Sequence, residues 1–264
     1  MTILALLTDF GNKDGFVGTM KGVIWGICPT AQVADISHEI PPQNIKEGAI
    51  ALWRAAPFFA AGTVHIAVVD PGVGTIRRPI AMQLGSQFYV GPDNGIFTPL
   101  IEDARKFGLE TRFVALDQPR FWLQHVSRTF HGRDVFAPAG AHLASGVKLD
   151  ELGTPFTDPV LLPLSKPERT TDGFNAHIAL IDVFGNCATD LPWSEVAGRH
   201  LLIRIKDYVI RGLSPSYGHH QPGELIALVD SEDHIEVAVV IGSAAKTLGA
   251  QVGDLVEVLF IAEE

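Results

Sequence analysis

The chain has 264 residues, 47% hydrophobic and 19% charged, enough apolar sequence for a sizeable core and too much for a disordered chain. The balance of 30 acidic against 20 basic residues leaves a net charge of -10, and the adjacent basic pairs Arg77-Arg78 and Arg105-Lys106 form no longer cluster, so nucleic acid and anionic membranes are excluded as partners. No apolar run reaches the ~18 residues that span a bilayer, and the run from Met1 to Phe10 meets Asp9 too early for a signal peptide.

In chain order, the apolar run over 3–8 predicts a strand that breaks at Asp9-Phe10-Gly11. Val17, Met20, Val23, Ile24 and Ile27 recur at helical spacing and predict a helix over 15–27, ended by Pro29. A strand over 32–36, a helix over 45–56 stopped by Pro57, and a strand over 63–69 follow. A hairpin pairs 80–84 with 87–90 about Gly85-Ser86. Then come a helix over 96–107, a strand over 112–116 and a small-residue helix over 133–145 closed by Gly146. Gly153, Pro155, Pro159, Pro163 and Pro167 punctuate a linker. Beyond it strands dominate, over 176–183, 201–205, 225–229, 235–241 and 255–261. The expected fold is an α/β N-terminal domain (1–165) with a mostly parallel sheet, followed by a smaller all-β, barrel-like C-terminal domain (170–264).

Several carboxylates stand at strand ends, where open α/β sheets bind ligands. Asp9, Asp70 and Asp182 each either cap the next element or accept hydrogen bonds from paired hydroxyls of a polar ligand. The segment from Asp70 to Arg78 holds two glycines and an arginine, yet matches neither a dinucleotide fingerprint nor a P-loop. Asp70 and Arg77 can fold back on each other around it. Gly91-Pro92-Asp93-Asn94-Gly95 is a turn by composition. Thr129 to Asp134 brings an imidazole, a guanidinium and a carboxylate from one loop. The ten histidines show no metal-ligand spacing, and there is no G-x-S-x-G. Cys28 and Cys187 form no C-x-x-C and read as buried thiols of a reducing cytoplasm.

Taken together, these segments resemble a known family. Leu7-Thr-Asp-Phe-Gly11, Val69-Asp-Pro-Gly-Val-Gly-Thr75 with Arg77, Gly91 to Gly95, Thr129-Phe-His-Gly-Arg-Asp134, Phe184-Gly-Asn186 and Gly242-Ser-Ala-Ala245 occur in the order of the S-adenosyl-L-methionine (SAM) hydroxide adenosyltransferases, hydrolases related to fluorinase and chlorinase. The resemblance implies a homotrimer with sites spanning subunits, and SAM as substrate with no cofactor or metal. It places the catalytic set on Asp70, Arg77 and His131 and the ribose ligand on Asp9. Methionine-end contacts fall near Asp182, Asn186 and Ser231. The adenine wall falls near Tyr217, and backbone contacts to the adenine edge near Ser243 and Ala244. Where fluorinase-like relatives carry an arginine after the serine, this chain has Glu232, which cannot pair with a substrate carboxylate.

The chemistry suits these residues. The leaving group of a sulfonium departs as a neutral thioether, so no general acid is required. The demand is to orient a water and remove its proton. Arg77 can hold that water, Asp70 can orient Arg77 or take the proton, and His131 can relay it. The expected products are adenosine and L-methionine. A halide nucleophile is the nearby alternative, disfavoured by the carboxylate in the set. A SAM- or adenosine-binding sensor without turnover is the other.

Overall fold

The computed structural model describes residues 2–262, and the chain divides into two units, one running through Leu162 and the other starting at Pro163. Met1, Glu263 and Glu264, at the ends of the expected domains, lie outside the described residues.

In the first unit β1 (Ile3–Thr8) is apolar at nearly every position because helices cover both faces of its sheet. On one face Leu4 and Leu6 pack with Met20 and Ile24 of α1 (Phe16–Ile27) and with Ala139 and Leu143 of α4 (Ala137–Ala144). On the other, Leu7 packs with Ala49 and Leu52 of α2 (Ile45–Ala55) and Leu100 and Ile101 of α3 (Thr98–Lys106). Asn44 caps α2 by accepting from the Glu47 N–H at 3.1 Å.

The sheet also contains β2 (Gln32–Ser37), β3 (Val64–Val68), β4 (Pro79–Leu84), β5 (Gln87–Pro92), β6 (Thr111–Leu116) and β7 (Gly153–Phe156), in the order β2-β1-β3-β5-β4-β6-β7. β1 pairs in parallel with β2 and β3, and β3 with β5. β4 is antiparallel to both β5 and β6, and β7 to β6. Two reversals return β6 to the common direction, so five of the seven strands (β1, β2, β3, β5 and β6) run the same way. β1 lies between β2 and β3, and Thr8 is in register with Val68. Asp9 and Asp70 therefore leave neighbouring carboxyl ends at the point where the strand order reverses, the usual ligand crevice of such sheets.

Two expectations change here. The stretch opening at Gly153 is not linker: β7 extends the sheet beside β6, and a Cβ on Gly153 would stand 1.6 Å from the Ala115 carbonyl oxygen. Pro155 is tolerated because β7 is an edge. The helix expected over 133–145 divides into a π-helical turn, Gly132–Phe136, and α4.

The second unit is antiparallel throughout. It comprises β8 (Glu168–Arg169), β9 (Gly173–Ile181), β10 (Cys187–Pro192), β11 (His200–Ile205), β12 (Tyr208–Arg211), β13 (Leu225–Val229), β14 (His234–Val239) and β15 (Leu255–Ile261), with the short helix α5 (Ala244–Leu248) before β15. The order is β12-β11-β15-β9-β10-β14-β13, with β8 beside β9. The Ser214 N–H, beyond β12, donates to the Ala227 carbonyl of β13 at 2.7 Å, so the two ends of the sheet meet and the unit is nearly closed as a barrel. Ile178, Leu191, Ile203, Val237, Val256 and Val258 fill it. Among the described residues no helix is long and apolar enough to cross a membrane.

Candidate active site

Arg77 is held at the end of β3 by the turn that begins at Asp70. Its Nε donates to both Asp70 carboxylate oxygens at 3.0 Å, and its Nη2 donates to Oδ2. The two side chains are only 10% and 5% exposed, so the pair is largely withdrawn from solvent and its charge-assisted bonds are correspondingly strong. Nη2 also stands 2.9 Å from His131 Nδ1. A guanidinium only donates, so Nδ1 is the acceptor and the neutral ring carries its proton on Nε2. Burial first, and the Arg77 charge second, hold the His131 pKa below its ordinary value. The structure thus joins three residues that lie up to 61 positions apart in sequence (from 70 to 131).

Backbone geometry makes this meeting possible. Gly74 has φ +75°, and a Cβ there would stand 2.2 Å from the Arg128 carbonyl oxygen, so only glycine lets the Asp70 turn seat against the loop that leads to His131. Asp134, fully buried, anchors that loop: it accepts from the Ser127 N–H at 2.8 Å and from Arg133 Nε at 2.5 Å. The following turn is wound as a π-helix, with the Ala137 N–H donating to the Gly132 carbonyl, a deformation frequent at functional sites. Gly91 to Gly95 is a tie rather than a ligand loop. Asn94 Nδ2 donates to the Val69 carbonyl at 2.8 Å, and buried Asp93 accepts from Arg78 Nε at 2.9 Å.

Asp9 follows β1 with Oδ2 accepting from the Gln43 N–H at 2.8 Å. Gln43 itself is in the left-handed region, at φ +66°. The Asp9 and His131 loops touch through aromatic edges, with Phe10 and Phe130 ring centroids 5.7 Å apart and Phe16 5.1 Å from Phe130.

In the second unit the turn after β9 wraps around Asp182. Its Oδ1 accepts from the Phe184 and Asn186 N–H groups at 2.9 and 2.8 Å, and its Oδ2 from Asn186 Nδ2 at 3.0 Å. Asn186 Nδ2 also lies 3.4 Å from the Tyr217 hydroxyl, which donates to buried Glu236 at 2.6 Å. Burial, followed by Glu236, raises the Tyr217 pKa. Gly185 (φ +85°) packs on Ser243, and its carbonyl accepts from the Ala245 N–H at 2.9 Å, so Ser243 and Ala244 adjoin the same turn. Ser231 falls outside this hydrogen-bonded group. It lies in the β13–β14 turn, next to the Pro192 end of β10 rather than the Cys187 end, and donates to Glu232 at 2.8 Å.

The sequence reading missed Glu236, Gln43 and the π-helical turn. A carboxylate at a strict alternation position of β14 reads as solvent-facing, and nothing in the composition around Gln43 marks a left-handed residue.

The first unit matches the model of the SAM hydroxide adenosyltransferase N-terminal domain over residues 4–153, and the second that of the C-terminal domain over 176–257. This chain belongs to the SAM hydroxide adenosyltransferase family. It is 40% identical over 97% of its length to a (R)-S-adenosyl-L-methionine hydrolase of Salinispora tropica, 97% of which is covered. A fluorinase from an Actinoplanes species is 28% identical over 74% of this chain and 73% of its own. A crystal structure of an uncharacterized conserved protein from Thermotoga maritima superposes with a TM-score of 0.90 at 32% identity, covering 97% of this chain and 99% of that one. The family's two-domain order is therefore the order of this chain, and its hydrolases resemble it over a longer span than this fluorinase does.

Proposed function

We propose that the protein hydrolyses SAM to adenosine and L-methionine. The observation that carries the reading is the single guanidinium, Arg77, bonded at once to Asp70 and to the unprotonated nitrogen of His131. Asp70 fixes and charge-balances Arg77. The remaining Arg77 N–H groups and the His131 Nε2–H are donors for a water oxygen and favour its hydroxide character. That oxygen bonds to C5′ and the C5′–S bond breaks, its electron pair staying on sulfur. The sulfonium becomes the thioether of methionine, and one proton leaves to solvent. No leaving-group acid is needed in this scheme.

Asp9 takes the ribose hydroxyls. Asp182 and Asn186 take the polar methionine end, while Tyr217 and the Ser243–Ala244 backbone take the adenine; Ser231, at the other end of β10, has no place in this set. The assembly in this reading is a homotrimer, checked by light scattering, and the free buried thiols Cys28 and Cys187 suit a reducing cytoplasm.

The test is turnover of SAM in ¹⁸O-water with chelator present. Equimolar methionine and adenosine labelled at the 5′ oxygen are expected. Tight adenosine binding with no turnover would make the protein a sensor. A 5′-halo-5′-deoxyadenosine as main product at modest halide would make it a halogenase, and loss of activity to chelator, restored by a divalent ion, would contradict metal independence.

A further inference from the structure

The turn that carries Asp9 is held from outside itself. The Phe10 N–H donates to Thr8 Oγ1 at 3.2 Å and the Gly11 N–H to the His38 carbonyl at 2.8 Å. Thr8 is fully buried and His38 is 4% exposed. Thr8 Oγ1 and His38 Nδ1 are 2.8 Å apart. On the other side of the ring, Nε2 lies 3.0 Å from Asp35 Oδ1, and Asp35 Oδ2 pairs with Lys21 Nζ at 2.6 Å. Thr8 Oγ1 accepts from Phe10, so its own proton is available to Nδ1, and the imidazole proton then sits on Nε2 beside Asp35. His38 therefore touches the turn twice, through Thr8 and through its own carbonyl.

Hydroxyl, imidazole and carboxylate stand here in the order of a nucleophilic triad, but the hydroxyl is sealed from solvent and already engaged, so the row supports the turn and is not a second reactive centre. Burying a histidine and a threonine side by side costs desolvation that a valine–leucine pair would avoid. What the polar pair supplies is an acceptor for the Phe10 N–H, one residue beyond Asp9, and a fixed orientation for that acceptor. The carboxylate of Asp9 is meanwhile tied to Gln43, five residues after His38 on the same segment. The segment from Asp35 to Gln43 thus sets both the backbone and the side chain of the Asp9 turn.

We propose that His38 is a positioning residue for Asp9: the Thr8–His38–Asp35 row fixes the turn and with it the direction in which the Asp9 carboxylate meets paired hydroxyls of the substrate. This rests on the assignment of Asp9 to the ribose made above. Thr8, His38 and Asp35 do not themselves touch substrate.

The experiment measures adenosine affinity by calorimetry and steady-state SAM hydrolysis on the full chain for Thr8→Val, His38→Gln, His38→Asn, Asp9→Ala and the double variant Thr8→Val/Asp9→Ala. Thr8→Val keeps shape and removes the hydroxyl. It and His38→Gln are each expected to weaken adenosine about tenfold, the loss of roughly one hydrogen bond, with kcat at saturating SAM changing less than about twofold. His38→Asn places an oxygen where Nδ1 was, accepts the Thr8 proton, and recovers most of the affinity. In the Asp9→Ala background, Thr8→Val adds nothing further, because its effect passes through Asp9. A merely structural role would let it add its full effect there, and that result overturns the proposal, as does unchanged affinity in both Thr8→Val and His38→Gln. Should a His38 variant fail to fold, Thr8→Val alone and in the double variant still decides. If Asp9→Ala itself binds adenosine normally, the ribose assignment fails and this inference falls with it, a result distinct from either of the others.

Discussion

His65 makes the first unit's stability depend on pH in a calculable way. It lies on β3 opposite Tyr89 of β5, fully buried, stacked on the Tyr89 ring at 4.9 Å with 14° between planes, and edge-on to Phe59 at 5.2 Å. Burial pushes its pKa down to about 4, against an ordinary histidine value of 6.5 in the unfolded chain. The unfolded state therefore takes up a proton first as pH falls, and stability declines from about pH 6.5 down to about pH 4. Linkage gives a loss of about 2 kcal/mol between pH 7 and pH 5, approaching about 3 kcal/mol below pH 4. His65→Phe removes the titration while keeping the ring stack. Urea unfolding at pH 7 and pH 5 checks it, followed by tryptophan fluorescence, since Trp25, Trp53 and Trp122 of the four tryptophans lie in this unit. The wild type is expected to lose about 2 kcal/mol more than His65→Phe over that interval. Parallel losses in the two proteins would refute the argument, because the other titrating groups are common to both.

The remaining predictions concern the site. Asp70→Asn replaces an acceptor with an amide N–H facing the guanidinium, so kcat is expected to fall about 100-fold or more, with adenosine affinity changed only a few-fold; an unchanged kcat would remove Asp70 from the scheme. Protonating His131 Nδ1 breaks its bond from Arg77 and sets two cations side by side. Turnover is therefore full with the ring neutral and lost as pH falls through the lowered His131 pKa, so an acid limb centred above the ordinary imidazole value of 6.5 would contradict the geometry. Gly74→Ala adds a clash with the Arg128 carbonyl to the strain of positive φ, whereas Gly108→Ala (φ +64°, open space) adds the strain alone. The second is expected to cost about 1–2 kcal/mol in thermal unfolding. The first is expected to cost more and to depress kcat, and equal costs with normal kcat would show that the two loops can separate.

Where periodicity was strong the sequence read well. The strand expected over 3–8 is β1, the helix over 45–56 is α2 within one residue, and the Gly85-Ser86 hairpin joins β4 to β5. The π-helical turn was illegible because Val135, Phe136, Ala139 and Leu143 suit an α-helix equally well, and the extra residue is imposed by packing. β7 was hidden by Gly153 and Pro155, which read as punctuation until an edge strand is known to run there. β10 was missed because Thr189 and Asp190 interrupt its apolar pattern. Thr189 in fact donates to the Ile235 carbonyl at 2.7 Å, and Asp190 accepts from the His177 N–H at 2.8 Å. At the site, Asp70, Arg77 and His131 were legible as residue types within motifs. Their actual bonding was not, because it depends on a close approach at Gly74 that no local pattern encodes. The anchoring of Tyr217 by Glu236 is likewise a cross-strand event, decided by which face of β14 turns inward.

The π-helical turn acts as an angular spacer. An α-helix advances about 100° and 1.5 Å per residue, and a π turn accommodates one residue more per turn. Counting back from α4, whose packing on the sheet is fixed by Ala139 and Leu143, the same residues between Gly132 and Phe136 wound as a plain α-helix would carry His131 about 100° around the axis. Its Nδ1 would then leave the reach of Arg77 although every residue type in the motif survived. The spacing between His131 and α4 is therefore as much a part of the chemistry as the imidazole itself, and a homologue that keeps Asp, Arg and His but winds this turn as a plain α-helix would hold the three groups without connecting them.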